Sequence, residues 1–172
     1  VAGGKIIKIN KEISLSGNIE IQQINAKGKI IIPGLIDLHV NITGGGGEGG
    51  PATRVPEIQL SSITLAGVTT LVGSLGTNSI TRSIEALLAR AAALDKEGLT
   101  AFITTGSYQL PCVTLTGSIE KDMALIPPIL GTGEIAISDH RSSQPSFEEF
   151  IRLVANSRLG GMVGNKPGIV FI

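Results

Sequence analysis

The feature that most constrains the fold is a stretch near the start of the chain in which an apolar strand runs directly into polar groups. Residues 29–40 are largely apolar, which is typical of a parallel strand buried on both faces. His39 and Asn41 stand at the end of this run, and four glycines at 44–47 lead to Glu48. Barrel enzymes place their chemistry on the residues that follow such strands. The stretch therefore predicts the first strand of a parallel α/β fold, with a functional site at its carboxyl end.

The rest of the chain repeats a strand–loop–helix pattern with a period of about 35 residues, as expected for βα units joined by right-handed crossovers. Four helices are predicted: one beginning at Pro56, one over 84–97, one over 119–126 and one running from a capping box at Ser146 to about residue 158, before a turn flanked by glycines. The five predicted strands are 29–40, 68–75, 99–105, 134–138 and 168–172.

Chain length limits what these units can build. A closed eight-stranded barrel takes about 250 residues, whereas this chain has 172. Four units and one further strand make roughly half a barrel, with two open edges. We therefore expect the N-terminal portion of a larger protein. The residues alone leave one alternative equally open, a self-contained doubly wound sheet of five strands.

Composition excludes several classes of function. Lys plus Arg number 14 and Asp plus Glu number 14, so no charge excess points to nucleic acid or to an anionic membrane. No apolar run reaches the roughly 18 residues that span a bilayer, and no signal peptide is visible. The single cysteine, Cys112, cannot form an internal disulfide, which agrees with a cytoplasmic location.

Residues 33–41, Pro-Gly-Leu-Ile-Asp-Leu-His-Val-Asn, resemble the first barrel strand of the amidohydrolase superfamily, whose motif is Pro-Gly-hydrophobic-Ile-Asp-x-His-x-His. The glycine-rich sequel through Glu48 and Arg54 narrows the resemblance to the isoaspartyl (β-aspartyl) dipeptidases. The resemblance implies a partial TIM-type (β/α)8 barrel over residues 29–172, preceded in residues 1–28 by a segment of a small β-sandwich domain. Asn41 departs from the motif, which has a second histidine there.

The resemblance also implies a metal centre, with two zinc ions in the complete enzyme. His39 is the leading ligand, and Asn41 replaces a ligand with an amide that binds zinc more weakly than imidazole does. Glu134 stands where the family has a carboxylated lysine bridging two metals, and its carboxylate offers a similar anionic pair of oxygens. Without the resemblance, His39 reads as a surface histidine and Glu134 as an exposed acid.

Further residues are implied to bind the substrate. Glu48 and the carbonyl of Gly46 would recognise the α-amino group, and Thr77 would touch the substrate. Tyr108 would polarise the scissile carbonyl. Arg141 would hold the substrate carboxylate with two bonds, and Asp139 could orient Arg141 or His140. The simpler readings are an exposed acid in a loop and a half-buried tyrosine with a satisfied hydroxyl.

These residues predict a metal-dependent hydrolase, a metalloprotease of the dipeptidase kind, that cleaves isopeptide bonds of β-aspartyl dipeptides through a metal-activated hydroxide. Two alternatives stay open: a catalytically degenerate binding or scaffold protein, and an amidohydrolase acting on another N-acyl amino acid. The expected partner is a small dipeptide, with no nucleic acid and no membrane, and we expect a homo-oligomer in the complete protein.

Overall fold

A computed structural model describes residues 1–14, 17, 20–77 and 79–172 of the chain. The chain divides into two compact units, Val1–Pro33 and Gly34–Ile172. The second unit contains five strands, four α-helices and one short 3₁₀ helix, Pro51–Thr53. The strands and helices are, in order, β1 Leu35–Val40, α1 Leu60–Leu65, β2 Val68–Gly73, α2 Ile84–Lys96, β3 Thr100–Thr105, α3 Ile119–Leu125, β4 Ile129–Thr132, α4 Phe147–Gly164 and β5 Ile169–Val170.

The sheet is parallel throughout, and its strands lie in the order β1-β2-β3-β4-β5. Each crossover therefore moves one strand further in the same direction, as in a barrel. A doubly wound sheet reverses its strand order part-way across, and this sheet does not. The five strands form a curled half-barrel, which confirms the partial TIM-type fold and removes the alternative of a doubly wound sheet.

Helix α2 illustrates how sequence periodicity sets the packing. Ile84, Leu87, Ala91 and Leu94 recur on one face and are all buried in the main core, as an amphipathic helix requires. The Ser83 side chain caps the helix by accepting a hydrogen bond from the Ala86 amide at 3.3 Å. This face packs in one core with the buried strand residues Leu71, Ile103 and Ile129.

The first strand and the first helix are both shorter than predicted. β1 begins at Leu35 rather than at residue 29, and Leu35, Ile36 and Leu38 are 50–64% exposed because β1 is an edge strand of this sheet, paired with β2. α1 begins at Leu60 rather than at Pro56. The segment before α1 pairs with the glycine-rich loop instead of joining the helix, since the Val55 amide donates to the Gly45 carbonyl at 2.9 Å.

The prediction of the fourth strand at 134–138 is wrong, because β4 spans Ile129–Thr132. Gly131 suggested a turn, yet it lies within β4. A Cβ on Gly131 would come within 2.3 Å of the Ile169 carbonyl oxygen in β5, so glycine permits the close approach of the two strands. As a result Glu134 follows the carboxyl end of β4 instead of opening a strand.

Helix α4 is longer than predicted and extends to Gly164. Its late glycines are packing positions rather than helix breakers. A Cβ on Gly160 would lie 2.9 Å from the Glu120 Cα, and one on Gly164 would lie 2.6 Å from the Met123 carbonyl oxygen. Small residues thus let α4 approach α3 closely, and Asn165, with φ of 53°, ends α4 in the left-handed conformation.

The first unit contains no strand among its described residues, and one isolated antiparallel bridge pairs Ala2 with Lys5. The sequence pattern predicts short β strands at 5–9, 13–15 and 18–24. Residues 5–9 form no ladder, and the other two segments lie partly outside the described residues. A single isolated bridge does not form a stable sheet, which needs three or more strands or packing against a helix. The assignment of residues 1–28 to a small β-domain stays a prediction. Within the described chain, no helix has the length and apolar character needed to cross a membrane.

Candidate functional site

The carboxyl ends of the five parallel strands lie at one edge of the sheet, so the loops that follow them meet there. The loops after β1, β2, β3 and β4 carry every residue that the sequence singles out for function, apart from His39, which is the penultimate residue of β1. Residues that are more than 90 positions apart in the sequence are brought into hydrogen-bond contact at this edge.

One group of residues at this edge is centred on Glu134. Its Oε2 lies 2.8 Å from Nε2 of His39, and its Oε1 accepts a hydrogen bond from the Tyr108 hydroxyl at 3.1 Å. The His39 side chain is 49% exposed and that of Glu134 is 23% exposed. Desolvation by burial is the largest cause that raises the pKa of Tyr108, and the negative charge of Glu134 raises it further. The Tyr108 hydroxyl is therefore protonated at neutral pH and acts as a hydrogen-bond donor.

His39 and Glu134 are metal donors of a suitable kind, an imidazole nitrogen and a carboxylate. Catalytic zinc sites generally use three protein ligands. Over the residues that the structure describes, no group of three or more His, Cys, Asp or Glu side chains is placed to hold a metal ion. The donors therefore fit a metal in their chemistry but fall short of a complete site in their number.

Asn41 has a different partner. Its Oδ1 accepts a hydrogen bond from the Ser74 hydroxyl at 2.9 Å, and its amide group lies against Gly76, where a Cβ would come within 3.1 Å of the side chain. This contact ties the loop after β1 to the loop after β2. The predicted ligand role of Asn41 stays a prediction, and in this conformation its amide oxygen serves the contact between loops.

A second group of residues surrounds a cavity of about 400 Å³ that Tyr108 also lines. Glu48 reaches it from the loop after β1, Thr77 from the loop after β2 and Arg141 from the loop after β4. The Glu48 Oε1 accepts hydrogen bonds from the Thr77 hydroxyl and, at 3.1 Å, from Nη1 of Arg141. A carboxylate and a guanidinium thus face the same space and are paired with each other.

Arg141 is held firmly by its neighbour Asp139. Its Nε donates to Asp139 Oδ1 at 2.8 Å, and its Nη2 donates to Oδ2 at 2.6 Å. The guanidinium carbon lies 5.1 Å from the centre of the Tyr108 ring, a cation–π distance. Because Asp139 fills the fork, Nη1 is the nitrogen turned toward Glu48. Asp139 occupies the side formed by Nε and Nη2, so capture of a carboxylate through two bonds, from Nη1 and Nη2, would require Glu48 rather than Asp139 to release Arg141.

The charges of the cavity are fixed around neutral pH. The hydrogen bond from Thr77, then one from its own backbone amide, outweigh desolvation and lower the pKa of Glu48, with Arg141 adding to the effect. Hydrogen bonds from Arg141 hold the pKa of Asp139 well below its usual range, and the same pairing raises the pKa of Arg141. Both carboxylates are therefore anionic, and the arginine is cationic.

The glycine-rich loop is folded tightly onto the segment that follows it. Gly44 and Gly46 have positive φ, and a Cβ on either would lie within 2.6 Å of a carbonyl oxygen, that of Val55 or of Thr53 respectively. The Gly46 carbonyl accepts a hydrogen bond from Nη1 of Arg82 at 3.3 Å. Glycine is therefore needed here for close backbone approach, and Glu48 projects from the end of this packed turn.

Two residues of this region were missed by the sequence reading. Arg82, in the loop before α2, contacts the glycine-rich loop. Asp122, on α3, is fully buried and accepts hydrogen bonds from the segment after β3. Neither lies in a recognisable motif, and each works through contacts distant in sequence. One signal was available for Asp122, namely a carboxylate placed among apolar core positions of a predicted helix.

Comparison with known proteins supports the resemblance noted in the sequence. The chain is 62% identical to the β-aspartyl dipeptidase of the thermophilic keratin-degrading Fervidobacterium islandicum AW-1, solved in complex with the dipeptide β-Asp-Leu, with a TM-score of 0.79 over 80% of this chain and 36% of that one. A second structure of that dipeptidase gives the same identity and TM-score and is covered over 38% of its length.

The curated relatives include the dihydroorotase of Streptococcus pyogenes serotype M3, which is 28% identical over 185 aligned positions. The alignment covers 98% of this chain and 40% of the dihydroorotase. No protein-family model matches the chain. The chain thus spans about two-fifths of the length of the relatives it matches. The chain is thus similar to a β-aspartyl dipeptidase, as its sequence motifs indicated, and more distantly to a dihydroorotase.

Proposed function

We propose that this chain supplies the substrate-recognition rim of a hydrolase that acts on β-aspartyl dipeptides. The observation that carries the proposal is the cavity in which Glu48, Thr77, Arg141 and Tyr108 converge from four different loops. A free β-aspartyl dipeptide carries one ammonium group and two carboxylates, and this cavity presents Glu48 to the ammonium group and Arg141 to one of the carboxylates. The similarity to a dipeptidase that was solved with β-Asp-Leu supports this choice of ligand.

Each residue has a distinct task in this proposal. Glu48 binds the α-ammonium group through a charge-assisted hydrogen bond, and the Gly46 carbonyl is the second acceptor for it. Arg141 binds the substrate carboxylate through Nη1, while Asp139 keeps the guanidinium in place. Thr77 orients Glu48 by its hydrogen bond and lines the cavity beside the substrate. Tyr108, neutral because its pKa is raised, donates its hydroxyl to the oxygen of the scissile carbonyl as negative charge develops there.

His39 and Glu134 are the residues of this chain that would hold zinc, next to the Tyr108 hydroxyl. A bound metal would supply a water of lowered pKa as the nucleophile. With two donors in the described chain, the remaining ligands, and the group that passes a proton to the leaving amine, would have to come from other residues. Turnover is therefore proposed for the whole protein, and dipeptide recognition for these residues.

A second candidate function is binding without catalysis. It is favoured by the shortage of metal donors among the described side chains and by the engagement of the Asn41 amide oxygen with Ser74. In that case the charged cavity still selects a dipeptide, but no reaction follows. An amidohydrolase acting on another N-acyl amino acid is the third candidate, and the relation to dihydroorotase keeps that substrate class in view.

The proposal is tested by calorimetric titration of the whole protein with β-Asp-Leu. An amine-release assay of the same protein, with and without added zinc, measures turnover. The α-linked isomer Asp-Leu is the control ligand, because it has the same composition and charges but a different backbone. Saturable binding of β-Asp-Leu and weaker binding of the α-isomer are expected. Turnover with zinc supports the hydrolase, and binding without turnover supports the second candidate. An absence of binding to either isomer would reject the recognition site itself.

A further inference from the structure

The β2–α2 loop contacts the glycine-rich loop at two points, and one of them has no role in the proposed function. Thr77 holds Glu48 near the tip of the glycine-rich loop. Five residues later, Arg82 reaches the base of the same loop. Its Nη2 donates to the carbonyls of Gly45 at 2.9 Å and Val55 at 3.3 Å, and its Nη1 donates to that of Gly46 at 3.3 Å.

These contacts join both sides of the turn that carries Glu48. Gly45 and Gly46 lead into the turn and Val55 follows it, and the two sides are also bonded directly by the Val55 amide and the Gly45 carbonyl at 2.9 Å. A glycine-rich segment has few side chains with which to pack, and glycine has the largest conformational freedom to lose. A planar guanidinium with several fixed donors can bind three carbonyls at once, which a lysine ammonium on a flexible stem does less well.

The burial of the Arg82 guanidinium lowers the stability of the folded protein unless its hydrogen bonds compensate for the lost hydration. The residue is only 8% exposed, and burial, with the nearby charge of Arg54, lowers its pKa. In the described part of the chain its buried Nε has no hydrogen-bond partner. A buried charge with an unpaired donor costs free energy that an apolar side chain would not. The bonds that can offset this cost are the three that Arg82 donates to the carbonyls of Gly45, Gly46 and Val55.

We propose that Arg82 is a positioning residue that fixes the glycine-rich loop so that Glu48 stands ready for the substrate ammonium group. Arg82 itself does not line the substrate cavity, and its contacts are made with backbone carbonyls. One of these, the Gly46 carbonyl, is the second acceptor proposed for the ammonium group, and a carbonyl oxygen has two lone pairs with which to accept both bonds. The inference rests on the proposed function, because it assigns Glu48 the recognition of the ammonium group. It adds a residue, and a loop contact, that the sequence motifs did not indicate.

The test compares two ligands in two variants. Arg82→Gln removes the fork and the charge, and Arg90→Gln is the matched control, since Arg90 is also a partly buried arginine that donates to one backbone carbonyl, that of Ile58, at 2.8 Å. The ligands are β-Asp-Leu and its N-acetyl derivative, which lacks the ammonium group. Calorimetry should find β-Asp-Leu binding weakened about tenfold in Arg82→Gln, the size of effect expected when a charge-assisted hydrogen bond is largely lost.

The N-acetyl ligand should bind Arg82→Gln no more weakly than it binds the wild type, and Arg90→Gln should resemble the wild type with both ligands. Equal weakening of both ligands would mean that Arg82 supports the fold alone, and no weakening would mean that the loop holds without it; either result overturns the inference. If wild-type protein does not bind β-Asp-Leu, the proposed function fails and the inference falls with it. If wild-type protein binds the dipeptide, the difference between wild type and Arg82→Gln tests the role of Arg82 alone.

A second measurement serves if Arg82→Gln folds poorly. Arg82→Lys keeps the charge but lacks the planar fork, and hydrogen exchange should be faster than in the wild type at the amides of residues 44–50 and unchanged in β3. The lysine variant should also weaken β-Asp-Leu more than it weakens the N-acetyl ligand. Unchanged exchange in the loop would contradict the positioning role.

Discussion

Arg141 and Glu48 are separated by 93 positions in the sequence, yet Nη1 of Arg141 donates to the Glu48 Oε1 at 3.1 Å across the candidate substrate cavity. The two groups proposed to bind opposite ends of a dipeptide are thus bound to each other in this structure. A ligand with an ammonium group and a carboxylate at the two positions replaces this ion pair with two new ones. A ligand that lacks the ammonium group breaks the pair and leaves Glu48 without a cationic partner.

This relationship predicts a gain of binding on removal of a charge. In Glu48→Gln, Arg141 no longer has an ionic partner in Glu48, so the N-acetyl derivative of β-Asp-Leu should bind about threefold tighter than to the wild type, the modest effect expected when an exposed ion pair is removed. The unmodified dipeptide should bind more weakly. Calorimetry measures both.

Glu57→Gln is the control for the loss of one negative charge, since Glu57 pairs with Arg90 at 3.5 Å and does not line this cavity. It should leave both affinities unchanged. If Glu48→Gln leaves the affinity for the N-acetyl ligand as it was, the ion pair does not compete with ligands and the two groups act independently.

The pH dependence of dipeptide binding follows from the shifted pKa values. The pKa of Glu48 lies below its ordinary value of 4.5 in the folded protein, and that of Asp139 lies below 3.8. The stability that such depressed groups contribute is present above their unfolded pKa values and is lost as the pH falls through the folded ones. Affinity should therefore be constant from about pH 5 to 7 and fall only in more acidic solution.

On the alkaline side, affinity should fall above about pH 8, because the α-amino group of a β-aspartyl dipeptide stands beside a free α-carboxylate and loses its proton at a higher pH than a peptide N-terminus, whose pKa is about 8. The N-acetyl ligand, which has no such group, should lack this alkaline decrease, and titrations at a series of pH values compare the two. An equal alkaline decrease for both ligands would contradict the assignment, because only the unmodified dipeptide has an ammonium group for Glu48 to bind.

Elements determined by residues close together in the sequence were predicted more accurately than elements determined by contacts between distant residues. Helix α2 was predicted within a residue of its bounds because its apolar period and its cap are local signals. The fourth strand was misplaced because the reason for Gly131, the close approach of β5, lies 38 positions away in the sequence. The meeting of His39 with Glu134 followed from the family motif combined with parallel topology, and neither alone was sufficient.

The same distinction applies to the candidate site. The motifs identified Glu48 and Arg141 as separate candidates. Their contact depends on how the curved sheet brings together the loops after β1 and β4, and the sequence pattern does not show this curvature. Asp139 was considered as a partner of Arg141, although its occupation of the guanidinium fork was not. Arg82 acts through backbone carbonyls, which have no sequence signature, so its role becomes visible only in three dimensions.

Asp122 predicts a large and specific loss of stability. Its carboxylate is fully buried and accepts hydrogen bonds from the Thr105 hydroxyl at 2.5 Å and from the amides of Leu115 and Thr116 at 3.0 and 2.8 Å. Asp122→Asn places an amide NH₂ opposite one of these donors, so the free energy of unfolding should fall by about 3 kcal/mol. Asp95→Asn, an exposed change on α2, should alter it by less than about 0.5 kcal/mol. Urea unfolding measures both, and similar midpoints would contradict the structural role of Asp122.

Asn41 gives a test of the metal half-site that does not depend on turnover. Position 41 follows His39 by two residues, the spacing that returns a side chain to the same side of an extended strand. Asn41→His would add an imidazole near His39 and Glu134, completing the three protein donors typical of catalytic zinc. Zinc affinity, measured by competition with a chelating dye, should rise about tenfold or more.

The control for this substitution is Ala155→His on α4, an exposed position with no Asp, Glu, His or Cys three or four residues away on the helix, which should leave zinc affinity unchanged. His39→Ala in the Asn41→His background should abolish the gain, because it returns the number of donors to two. If Asn41→His binds zinc no better than the wild type, the hydrogen bond that Asn41 accepts from Ser74 marks a purely structural position, and the metal ligand role assigned to residue 41 is wrong.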